Sequence, residues 1–184
     1  MKNLIYIVFL FCSIQVVKAQ EFLSDQTYSV VINEVAADKE SATSMASIVF
    51  TDHREIVLST FQVDAANRIE KIQVQSLKHP ELEDVNDIIR INLSYSEPYE
   101  YTVSHYVMIT NEVESIVLPP IVNIKSDTST SETIYVFPNQ ILGNVNKITK
   151  MEVLYGESFT IEGVQVLQNY AWNDSDFGNS VSNF

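Results

Sequence analysis

The side chains best suited to proton transfer or metal binding here are three histidines, His53, His79 and His105. No two of them share the spacing of a metal-ligand pair, and no HExxH occurs. His53 falls in a turn beside Arg54, and His79 precedes Pro80. His105 lies on the apolar face of an alternating run, where a hydrogen-bonded core histidine is the commoner meaning. A catalytic His105 would need a pocket and a carboxylate beside it. No GxSxG is present, so a nucleophile elbow has no support. No glycine precedes position 143, which removes a glycine-rich phosphate loop or dinucleotide fingerprint from the first three quarters of the chain. The single cysteine, Cys12, lies in the N-terminal apolar run, so thiol nucleophiles, thiolate zinc sites and iron–sulfur clusters have no ligands beyond it. The reading is a non-catalytic chain with no cofactor.

Binding chemistry has better material. Tyr99 and Tyr101, with Tyr95 and Tyr106 nearby, surround the acidic loop that carries Glu97 and Glu100, and Trp172 follows Tyr170 near the end. Aromatic faces stack on sugars and carboxylates accept from hydroxyls, so Tyr99, Tyr101, Trp172, Glu97 and Glu100 form a candidate glycan site. The same aromatics also fill cores and cross-strand pairs. Asp174 and Asp176, in the run Asn173 to Asn179, supply the alternating oxygens of a calcium loop but lack its distal Glu, so no metal is assigned.

These residues belong to an acidic chain with an N-terminal leader. Lys2, the apolar run Leu4 to Phe11 and the small residues before Gln20 follow the plan of a secretory signal peptide over residues 1–19. The run is shorter than the roughly 20 apolar residues of a membrane span. The leader resembles those of exported Bacteroidota proteins, so the expected location is the periplasm, the outer-membrane surface or the exterior, with no membrane insertion of the mature chain. Without Lys2 and Lys18, nine basic residues face 24 acidic ones, a net of −15. Such a surface repels phosphate backbones, so nucleic acid is excluded as a partner class.

The elements that must position the candidates read as strands. Tyr28 to Asn33, Ile72 to Gln75, Ile89 to Tyr95, Tyr101 to Ile109 and Met151 to Tyr155 alternate apolar and polar residues, which places one face of each on a core and the other in water. Val, Ile, Thr, Tyr and Phe fill these runs, and turns recur between them. The expectation is a mainly β, antiparallel, sandwich-like single domain over residues 20–172 with a polar tail over 173–184. One short helix is expected near residues 80–88, from Leu82, Val85 and Ile89 at helical spacing after Pro80. Pro119-Pro120 predicts an edge, a corner or a weak boundary. A parity change between Phe159/Ile161 and Val164/Val166 predicts a bulge at Gly163.

Residues 55–109 resemble the C-terminal domain of TonB-type energy transducers. The residues that carry the resemblance are Phe61-x-Val63-Asp64, Asn67-x-Ile69, Ile72-x-Val74, His79-Pro80-Glu81-Leu82, and Pro98 before the run Tyr101 to Ile109. It implies strand, turn, strand, helix, strand, and offers an alternative fold: an α+β unit followed by a small β module. The turn glycine near Asn67, a membrane anchor and a proline-rich spacer are all missing, so only the habit of offering a sheet edge to an extended peptide carries over. Phe159 to Val166 also resembles the last strand of secreted jelly-roll carbohydrate-binding modules. The functional expectation is an exported cell-envelope interaction protein that binds a protein partner through a sheet edge or loop surface. The alternative is a carbohydrate-binding β-sandwich module.

Overall fold

The computed structural model describes residues 21–34, 43–64, 67–110, 114–125, 130–156 and 160–172. They form twelve strands: β1 (Leu23–Ser24), β2 (Tyr28–Glu34), β3 (Thr43–Phe50), β4 (Val57–Asp64), β5 (Ile69–Lys78), β6 (Val85–Tyr95), β7 (Tyr101–Thr110), β8 (Ser115–Val117), β9 (Ile121–Ile124), β10 (Ser131–Val136), β11 (Lys147–Tyr155) and β12 (Ile161–Ala171). Every pairing is antiparallel. The mainly β, sandwich-like reading therefore holds.

The strands make three sheets. A central sheet runs β1-β5-β6-β7, with β8 and β9 side by side along the far edge of β7; β2-β3-β4 and β10-β11-β12 are three-stranded. Ile89, Ile91, Leu93, Val107 and Ile109 of the central sheet pack with Ile48, Leu58, Phe61 and Val63 of the β2-β3-β4 sheet. The next residues along the same strands, Ile88, Tyr106 and Met108, pack with Tyr135, Ile148 and Tyr170 of the β10-β11-β12 sheet. Ile88 and Ile89 are adjacent in sequence, point to opposite faces and are both fully buried. The domain is thus a three-layer β stack, with β6 and β7 covered on both sides.

For β6 and β7 this corrects the expectation that each strand turns one face to water. Around Arg90, Asn92, Ser94, Thr102 and Ser104 the second face of the central sheet is polar, and its side chains bond to one another. Arg90 donates to Gln75 through Nε (3.0 Å) and a terminal nitrogen (2.6 Å), and Ser104 donates to Asn92 at 2.8 Å. Alternation in these strands marks a change of partner layer, not a solvent face.

The helix expected over 80–88 does not form, and no helix occurs among the described residues. His79, Glu81 and Asp84 adopt positive φ of 48°, 60° and 59°, which breaks any helical repeat. Val85 then opens β6, where β-branched Ile88, Ile89 and Ile91 gain partners in β5 and β7. Leu82 and Val85 are buried as anticipated, but from a turn and a strand start. The alternative α+β arrangement is set aside with the helix. Phe61 and Val63 also lie on a different sheet from Ile72 and Val74. Pro119-Pro120 does mark an edge: it separates β8 from β9 along β7, while Leu118 N–H still reaches Tyr106 O at 2.9 Å.

Candidate functional site

The structure gathers four of the five glycan-site candidates and separates the fifth. Tyr99, Glu97 and Glu100 are exposed on the β6–β7 connection, which contains a cis Glu97–Pro98 bond, and Tyr101 opens β7. Tyr101 stacks on buried Tyr95 with ring centroids 4.7 Å apart at 9°. Its hydroxyl accepts from Asn67 at 3.1 Å. Exposed Tyr99 stands 54° to Tyr101, so the two rings do not make a flat stacking platform. Glu100 is engaged by the Lys125 ammonium. Trp172 is half-buried against the core shared by the central and β10-β11-β12 sheets, and its indole N–H donates to Glu83 O at 3.0 Å. It braces the turn before β6 and does not join the tyrosines. Asp174 and Asp176 lie outside the described residues. Among the described residues, no group of three or more His, Cys, Asp or Glu could hold a metal ion.

The histidines do not assemble a catalytic unit. His53 pairs with Glu55 on an exposed turn at 3.3 Å. His79 takes the left-handed conformation at the end of β5. His105 is buried and stacks on Phe61, centroids 4.0 Å apart at 26°. Burial alone lowers its pKa to about 4, so the ring is neutral at pH 7 and no carboxylate acts on it.

A cleft of about 350 Å3 lies between β2 and β5, lined by Ser24, Asp25, Tyr28, Ser29, Val30 and residues 72–75. Its charged groups already serve the fold. Tyr28 donates to Asp87, Ser76 donates to Asp25, and the Lys78 ammonium sits 2.8 Å from Asp87 and 3.4 Å from Asp25. Burial opposes the charge on Asp25, but Ser76, Thr27 and Lys78 outweigh it and hold the carboxyl at about 2. The network ties the β2-β3-β4 sheet to the central one.

The feature that is not spent internally is the edge at β12. The other edges are guarded or abutted: β2 lies against β5, β4 against β8 and β10 against β9. Asn123 exchanges two hydrogen bonds with the Thr133 backbone, at 2.9 and 2.8 Å, across the β9–β10 contact. No strand among the described residues pairs with the outer side of β12. Of the usual protections of an exposed edge, β12 has neither Lys nor Pro, and its two register shifts flank an unbroken run from Gly163 to Val166. Its only charge is Glu162, and Gly163 to Ala171 is neutral.

Its side chains match its edge. Ile161, Val164 and Val166 sit opposite Tyr155, Val153 and Met151 of β11 and therefore share their face. Met151 and Val153 are buried with Val136 in a small core of this sheet. Moving outward to β12, exposure rises to 41% at Val164 and 51% at Val166. Among the described residues, the apolar face thus continues to the rim and stops uncovered. Two register shifts leave Glu162 and Leu167 as bulge residues, so the bulge expected at Gly163 is found one residue earlier. A Cβ on Gly163 would lie 3.2 Å from Leu154 Cδ1, a tight approach that favours glycine there.

The sequence expectation of a sheet edge open to a partner did not choose among the strands. The available signal was the neutral run Gly163 to Ala171 in a chain with 24 acidic residues. No protein-family model matches this chain, and neither a search of curated proteins nor one of solved structures returns a match. Among the described residues, no helix is long and apolar enough to cross a membrane.

Proposed function

We propose that this protein is an exported, non-catalytic interaction protein of the cell envelope that binds another polypeptide chain by adding a strand to β12. The observation that carries this reading is the uncovered β12 edge, where Val164 and Val166 extend a buried apolar face to an unpaired rim. An added strand would satisfy the outward N–H and C=O groups and cover those side chains together. The leader-like residues 1–19 support export, and the charged groups beside the β2–β5 cleft, Asp25, Asp87 and Lys78, are already paired with one another.

The test compares the tagged chain with a Val166→Lys variant in envelope extract. A bound protein chain recovered by the parent and lost by the variant, with the β signal in circular dichroism unchanged, supports the reading. Equal recovery by both proteins overturns it.

A further inference from the structure

Resting on that edge-binding reading, we infer that the chain received by β12 is a second copy of this protein, paired antiparallel about Gln165. Antiparallel partners that share a face, related by a twofold axis normal to the sheet, must pair about a single residue. Centring on Gln165 puts Val164 against Val166 of the second copy, and Val166 against its Val164. Both residues lie on the face that continues from Met151 and Val153, so the pairing makes one apolar stripe across the twofold axis. The β10-β11-β12 sheet becomes half of a six-stranded sheet.

Charge selects this edge for self-association. The chain carries −13, so two copies repel wherever acids face each other. The β5 edge exposes Glu70 and Lys71. On β12 the one charge is Glu162, and in this register it meets Gln168 of the second copy, not another acid. Ile161, at 49% exposure, adds to the apolar face, so the edge offers attraction without like-charge contact.

The experiment places a photo-reactive benzoylphenylalanine at Gln165 in the full chain, expressed from Met1 and irradiated in cells that carry the protein natively. Expected is an adduct of twice the chain mass, with both cross-linked peptides mapping to β12. An adduct to a different protein overturns the second copy and leaves strand addition at β12 standing. Absence of any adduct overturns both. Sedimentation at tens of micromolar supplies the second readout: a dimer is expected, and Val166→Lys should halve its mass with β content unchanged. A parent chain that sediments as a monomer, or a variant that remains dimeric, overturns the proposal.

Discussion

His105 lies flat against Phe61, with ring centroids 4.0 Å apart, inside the core that joins the central sheet to β2-β3-β4. The imidazole is neutral there because burial lowers its pKa from 6.5 to about 4. In the unfolded chain the same group protonates near 6.5. Between these values the unfolded state holds the extra proton, so stability falls as pH drops from about 6.5 to about 4, and the loss ends below that. The shift corresponds to about 3 kcal/mol at most. His105→Phe keeps a ring beside Phe61 and removes the titration. The difference between the parent and variant denaturation curves should open across this window and be flat above pH 7.

The contact between Tyr28 and Asp87 fastens the outer sheet to the central one, with Lys78 shared between Asp87 and Asp25. Tyr28→Phe deletes only the hydroxyl and should cost about 1–2 kcal/mol in urea unfolding with an unchanged slope. Asp25, held at about 2, contributes stability that is present above 3.8 and lost as pH falls through about 2. Asp25→Asn should remove that second acid window and leave the His105 window in place.

Asn139 spans two segments by donating to Lys78 O and His79 O, at 3.2 and 2.8 Å. These bonds hold the turn whose residues have positive φ, just before β6. Asn139→Ala should destabilise by about 1–2 kcal/mol. It should also raise hydrogen exchange at Val85, whose N–H bonds to Leu82 O at 3.2 Å, more than in β3. Uniform exchange changes across the domain would count against a local role for Asn139.

In a sheet with one wet face, only one of two adjacent strand residues is costly to truncate. Here Ile88→Ala and Ile89→Ala should each cost about 2–5 kcal/mol, because each residue is fully buried in a different core. Val166→Ala should cost under about 0.5 kcal/mol in the isolated chain. Thermal or urea unfolding of the three variants checks the layering directly.

Much of the strand content was legible, since the alternating runs from Tyr28, Ile72, Tyr101 and Met151 all fall within observed strands. The layering was not, because Arg90, Asn92 and Ser104 read as solvent-facing polar positions. Arg90 is satisfied by Gln75 of the neighbouring strand and Asn92 by Ser104, and spacing along one strand does not record such partners. The helix was misread for a related reason. Leu82, Val85 and Ile89 do all end buried, but Leu82 and Val85 enter one core and Ile89 the other, and the positive φ of Glu81 and Asp84 has no glycine to announce it. Of the aromatic candidates, Tyr99 and Tyr101 were close in sequence and stay close in space. Trp172 was assigned by residue type alone, and its actual partner, Glu83, lies on a distant segment.

Cladding the middle layer on both sides also sets an order of events during synthesis. Ile88, Ile89 and their neighbours leave the ribosome well before Tyr135, Ile148 and Tyr170, which must cover one of their two faces. Until the C-terminal hairpins emerge, the nascent polypeptide has an oily strip with no lid, and cannot close into its final shape. A thread whose middle layer is lidded only by its final strands stays loose, with β6 and β7 open to outside contact, until β12 has been made.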